Sequence, residues 1–209
     1  MDHAALLGDS IFDNAIYVPG KLPVIKQFRE NLPAGWKATL LAVDGHVTAD
    51  VQQQVSRLPD DATHLIVSCG GNDALEHASI LNESAGSVAE VLEHFTSIRT
   101  SFQQTYRQMI EMLTDLNKPL AVCTVYDCVP GMEGSPMTAL AMFNEIILRE
   151  AFIAKVPVID LRLICSEPSD YSEISAIEPS AMGGEKIVQA IVRLLANHRF
   201  ESKQSVIYT

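Results

Sequence analysis

Four short clusters in this chain carry the residue types that do chemistry: Gly8-Asp9-Ser10, Asp44-Gly45-His46, Gly70-Gly71-Asn72-Asp73 and Ile177-Glu178-Pro179-Ser180. A serine on a glycine-flanked turn after a strand presents its hydroxyl to solvent and its N–H to a developing oxyanion, where pre-aimed donors lower the barrier by several kcal/mol. Asn72 offers an N–H donor without a charge that must be desolvated. Glycines at these turns let backbone approach a ligand closely, and Gly70-Gly71 permit a tight strand exit. Ordinary turn chemistry explains any one of these glycines alone, but less readily all of them in order. Asp9 and Asp73 read as caps and loop hydrogen-bond acceptors that hold their neighbours in place.

The elements that must position these clusters follow from the apolar pattern. Brief apolar runs at Ala4-Leu7, Ala38-Val43, His64-Ser68, Leu120-Val125 and Val156-Asp160 read as five buried strands. Helical patterns lie between and after them at Val24-Glu30, Thr48-Arg57, Ser87-Leu116, Pro136-Ala154 and Pro179-Asn197. The third is long enough to expect a break near Thr96-Thr100, and Gly183-Gly184 weakens the start of the last. Alternation of strand and helix from end to end is the signature of an α/β fold around a parallel sheet. In such a sheet ligands bind beyond the carboxyl ends of the strands, where the first three clusters fall. Asp127-Pro136 and Ser166-Glu178 read as irregular surface loops. No linker or repeat divides the chain, so residues 1–209 are expected to form one domain.

Bulk composition narrows the function classes. The 209 residues carry 15 Lys and Arg against 26 Asp and Glu, a net charge of -11. A nucleic-acid backbone or an anionic membrane surface would be repelled. There is no apolar run of bilayer-spanning length and no signal-peptide pattern at the N-terminus, so no membrane insertion and a cytoplasmic location are expected. Cys69, Cys123 and Cys165 lie in or just after apolar runs, and these with Cys128 show no zinc spacing; reduced core thiols are the expectation.

Taken in order, the clusters resemble the sequence blocks of the SGNH (GDSL-type) hydrolases: GDS near the N-terminus, a glycine after the second strand, GGND after the third, and a motif before the final helix. The resemblance covers almost the whole chain. It implies a three-layer α/β/α flavodoxin-like fold with a five-stranded parallel sheet. It also implies hydrolysis of esters, often acetyl or acyl esters of lipids, sugars or small alcohols, without metal or cofactor. On the matching positions Ser10 is the nucleophile, and its own N–H, the Gly45 N–H and the Asn72 side-chain amide form the oxyanion hole.

The fourth block departs from the pattern. The family carries Asp-x-x-His, the His being the general base and the Asp its partner; here the segment reads Ser175-Ala176-Ile177-Glu178. The two losses go together, since a carboxylate that orients an imidazole has no task once the imidazole is gone. Glu178 either acts as base or caps the helix that follows. A carboxylate near pKa ~4.3 is about two units weaker than an imidazole near ~6.5, worth roughly 3 kcal/mol for full proton transfer, and burial recovers part of that. His46 beside Gly45 is a second candidate base and His77 a weaker third. A metal held by Asp9, Asp73, Glu178 and a histidine has no ligand spacing to support it. GGND is not a phosphate cradle followed by Lys, which argues against a nucleotide site. The expected function is a serine ester hydrolase acting on a small-molecule acyl or acetyl ester, with Ser10, Glu178 and His46 as catalytic candidates. The alternative is a non-catalytic binding or regulatory protein on the same fold.

Overall fold

The structure, a computed structural model, describes residues 2–209; Met1, where the expected domain begins, lies outside them. Its centre is a parallel sheet of six strands in the order β2-β1-β3-β4-β5-β6. They are β1 His3–Gly8, β2 Lys37–Leu40, β3 His64–Ser68, β4 Leu120–Cys123, β5 Val158–Ile159 and β6 Ile207–Tyr208. Alternate side chains feed two separate apolar layers, as the twofold period of a strand requires. Ala4, Leu6, Ile66 and Ala121 pack with helices α1 (Val24–Asn31) and α7 (Ala181–Asn197). Ala5, Leu7, Val67 and Val122 pack with α2 (Val51–Val55), α4 (Val88–Asp115) and α5 (Ser135–Ala154). Helices on both faces explain why β1, β3 and β4 are near-continuous apolar runs.

The α/β expectation holds with one strand more than expected. β6 has two residues, paired to β5 through Val158 with Ile207 and Ile159 with Tyr208, too short for any alternation to show. Two short helices also escape the apolar pattern, α3 (Gly71–Glu76) and α6 (Leu161–Ile164). The helix expected over Thr48-Arg57 begins as a 3₁₀ turn, Thr48–Asp50, before α2.

No break occurs near Thr96-Thr100. α4 runs unbroken for 28 residues, and the hydroxyls of Thr96 and Thr100 donate back to the Leu92 and Thr96 carbonyls inside it. Gly183 does not weaken α7 either, because a Cβ there would lie 2.1 Å from the Asp170 carbonyl oxygen. The helix start packs directly on backbone, capped by Ser180 Oγ, which accepts from the Met182 and Gly183 N–H groups. All four cysteines are free, Cys69, Cys123 and Cys165 buried and Cys128 exposed. Among the described residues no helix is long and apolar enough to cross a membrane.

Candidate active site

β1 ends at Gly8 with φ at 119°, and a Cβ there would sit 1.8 Å from the Ser68 carbonyl oxygen on β3. Only glycine fits this approach. The chain then turns sharply: the Asp9 N–H donates to Ser68 O at 3.1 Å, and the Phe12 and Asp13 N–H groups both donate to Asp9 O. Ser10 is held inside that turn, buried at the floor of a cleft.

Gln54, fully buried on α2, clamps this corner. Its Oε1 accepts the Gly8 N–H at 2.7 Å and its Nε2 donates to the Gly8 carbonyl at 2.7 Å. Because the Gly8 N–H can only donate, the amide orientation is fixed. Nε2 is then also the donor toward His46 Nδ1, 3.1 Å away. Neutral His46 therefore carries its proton on Nε2 and has no free lone pair, and it lies outside the walls of the cleft. Of the candidate bases, the structure brings Glu178 and not His46 to the cleft that Ser10 lines.

Asn72, in the first turn of α3, donates from Nδ2 to the His46 carbonyl at 2.9 Å. One of its two N–H bonds is thus used to hold the side chain, and the other is left for the cleft that Asn72 lines. Next to it Asp73 Oδ2 accepts from the Thr48 N–H at 3.0 Å and the Thr48 hydroxyl at 2.9 Å, tying α3 to the turn before α2. Gly45 occupies an exposed turn closed by the His46 N–H on the Val43 carbonyl, also outside the cleft walls.

Glu178 comes to Ser10 from the far end of the chain, and a set of long-range hydrogen bonds brings it there. Buried Asn14 accepts the Val24 N–H through Oδ1 and donates to the Pro179 carbonyl at 3.2 Å. The Ser172 hydroxyl donates to Tyr17 O at 2.6 Å, while the Ser172 N–H donates to Glu178 O at 2.8 Å. The Tyr126 hydroxyl donates to Ile177 O at 2.6 Å. The segment carrying Glu178 is in this way fastened to the segment that follows Ser10.

The Glu178 side chain is only 5% exposed. Burial pushes its carboxyl up to about 7, the Ser10 hydroxyl pulls it partly back, and the charge of Asp44 adds to the rise. Glu178 Oε2 is buried with no hydrogen-bond partner. Burial likewise pushes Asp9 up to about 8, against the pull of the Ile11 N–H on its Oδ1 and with the charges of Glu178 and Asp73 adding. At neutral pH Asp9 is mostly uncharged and Glu178 is poised between its two states.

Ser10, Asn72, Asp9 and Glu178 line one cleft of about 940 Å³, its open mouth included. Its remaining walls are almost entirely apolar, among them Phe95, Ile98, Val125, Leu140 and Phe143. His77 lines the exposed rim. No three His, Cys, Asp or Glu side chains among the described residues gather in a way that could hold a metal ion. The arrangement can present a serine hydroxyl, two oxyanion donors and a carboxylate near its half-ionised state to an ester whose acyl part lies in the apolar trough. Gln54, Asn14, Tyr126 and the trough itself were not anticipated from the sequence. Only the trough left a trace there, in the helical spacing of Phe95 and Ile98.

Among curated protein sequences none matches the chain. Several solved structures share its fold. A lipase, Lip_vut3 from a goat rumen metagenome, superposes with a TM-score of 0.72 at 17% identity, over 96% of this chain and 100% of that one. The acetyl xylan esterase AlAXEase gives 0.67 at 15% identity, over 94% and 100%. Phospholipase A1 from Streptomyces albidoflavus NA297 gives 0.66 at 15% identity, over 95% and 99%. At these identities the likeness speaks for the fold. Residues 6–184 match the model of the GDSL-like Lipase/Acylhydrolase family, and the chain belongs to that family.

Proposed function

We propose that the protein, read as a single domain over residues 1–209, is a serine ester hydrolase for small-molecule esters with an apolar acyl group. Ser10 is the nucleophile and Glu178 the general base. The observation that carries this reading is the buried Glu178 carboxyl against Ser10 at the floor of an apolar cleft. Glu178 as carboxylate takes the Ser10 proton while Ser10 Oγ attacks the ester carbonyl. The Ser10 N–H and the free Asn72 N–H receive the oxyanion, while Gly45, outside the cleft walls, shapes the turn that Asn72 grips. Protonated Glu178 then gives its proton to the departing alcohol, and the same groups activate water to release the acid. A base whose pKa lies near the working pH suits both transfers, which is what burial does for Glu178.

Purified protein is expected to hydrolyse p-nitrophenyl esters, and Ser10→Ala to lower kcat/KM by about 10³-fold or more. Activity that survives Ser10→Ala sinks the assignment of the nucleophile. A second reading, a binding protein for acyl ligands, is favoured by one observation: nothing orients Glu178 Oε2, where a working base has a third group to hold it. Failure of Ser10 to react with a fluorophosphonate, together with binding of an acyl ligand, decides for that reading.

A further inference from the structure

The first two turns of α4 stand clear of the protein. From residue 83 to residue 97 every residue is exposed except Phe95, which is half-buried. The helix start is nevertheless well built: Ser87 Oγ accepts the Glu90 N–H at 3.1 Å, and Glu90 Oε2 accepts the Gly86 N–H at 2.7 Å. Val88, Val91, Leu92, Phe95 and Ile98 follow helical spacing and share one face. Val88 is 77% and Leu92 60% exposed, while Phe95 and Ile98, one and two turns further on, are walls of the Ser10 cleft. An apolar stripe therefore runs from open solvent into the cleft. Leu75 and Ile177, both cleft residues with large exposed apolar surface, extend the same rim. Apolar side chains left open to solvent in a row that leads to a cleft mark a contact surface, so a stripe of this kind points to an occupant.

We propose that this stripe, with the Leu75 and Ile177 rim, is the surface by which the protein rests on an uncharged or zwitterionic lipid aggregate and draws an acyl chain into the cleft. The inference deepens the acyl-ester reading and rests on it. What singles out a lipid surface is that the stripe becomes the cleft wall without interruption. An acyl-bearing aggregate covers the stripe and supplies the cleft at once, whereas a protein laid along it closes the mouth through which substrate enters. The charge narrows the surface further. With Glu90 and Glu93 on the same turns and a net charge of -11, an anionic leaflet repels the helix that a zwitterionic one accepts.

The test uses Ser10→Ala protein, which leaves the lipid intact, in flotation with phosphatidylcholine vesicles. The parent is expected to float with the vesicles. Val88→Ser/Val91→Ser/Leu92→Ser in the same background is expected to lower the partition coefficient by about tenfold or more. Added phosphatidylglycerol is expected to weaken binding by the parent. In the background with Ser10 intact, the triple variant keeps the wild-type circular dichroism and the wild-type rate on a soluble short-chain ester. A parent that stays with the soluble fraction, or a triple variant that floats as well as the parent, overturns the proposal. So does light scattering that shows the parent as a dimer and the triple variant as a monomer, since a second copy is then the occupant. Failure of the acyl-ester reading is seen separately, in wild-type protein that hydrolyses no soluble ester while flotation is unaffected.

Discussion

At the scale of single residues Glu178 stands where the resemblance places an imidazole, and burial pushes its carboxyl up to about 7. The same desolvation has a cost in stability. Asp9 and Glu178 titrate at about 8 and about 7 in the fold, against ordinary values of 3.8 and 4.5. Between those limits the native state holds protons that the unfolded chain has released, so these two groups lower stability as pH rises from about 4 to about 8. Asp9→Asn keeps an oxygen for the Ile11 N–H and removes the titration. In chemical denaturation at a series of pH values its unfolding free energy is expected to gain on the wild type's by a margin that widens between about pH 5 and about pH 8, reaching on the order of a few kcal/mol; a margin that stays constant with pH contradicts this. That Ser10, Asn72 and Glu178 would meet at one cleft was legible because the short clusters that carry them are ordered along the chain around the strand ends. Gln54 and Asn14 were not, because an isolated glutamine or asparagine in sequence gives no sign of a hydrogen bond made 46 or 165 residues away.

At the scale of elements the carboxyl end of β1 is held by α2, and the loop before α7 is held by the segment after β1. Gln54→Leu leaves the buried Gly8 N–H without a partner, while the Gly8 carbonyl keeps the Val43 N–H. It is expected to cost about 1–3 kcal/mol in chemical denaturation, the penalty of one buried polar group left unpaired. Gln54→Glu keeps the acceptor for the Gly8 N–H and is expected to lose less. Equal stability of Gln54→Leu and wild type rules out the clamp. The strand-helix alternation of this sheet was readable because β1, β3 and β4 are covered on both faces and so appear as pure apolar runs. β6 escaped because its pairing to β5 is set by tertiary position rather than by its own two residues. The unbroken α4 was misread for a different reason: Thr96 and Thr100 satisfy their hydroxyls on the helix's own carbonyls instead of ending it.

At the scale of the molecule, the proposed hydrolase is expected to favour a substrate whose apolar acyl part fills the trough beside Ser10 and Glu178. Each methylene buried in the trough is worth about 0.8 kcal/mol, or roughly fourfold in kcat/KM. Among p-nitrophenyl esters kcat/KM is expected to climb with acyl length until the trough is filled; a steady fall from acetate onward contradicts the acyl assignment. Little of the trough was legible in the sequence because α3, α4, α5 and the loop before α7 each contribute only part of the lining. The central claim is that Glu178 activates Ser10, and the rate of Ser10 labelling by a fluorophosphonate between about pH 5 and about pH 9 measures it directly. The wild-type rate is predicted to rise through an inflection near the Glu178 value of about 7, and Glu178→Gln to be at least about 100-fold slower with no inflection there. A Glu178→Gln protein that labels at the wild-type rate, or keeps the same inflection, contradicts the account.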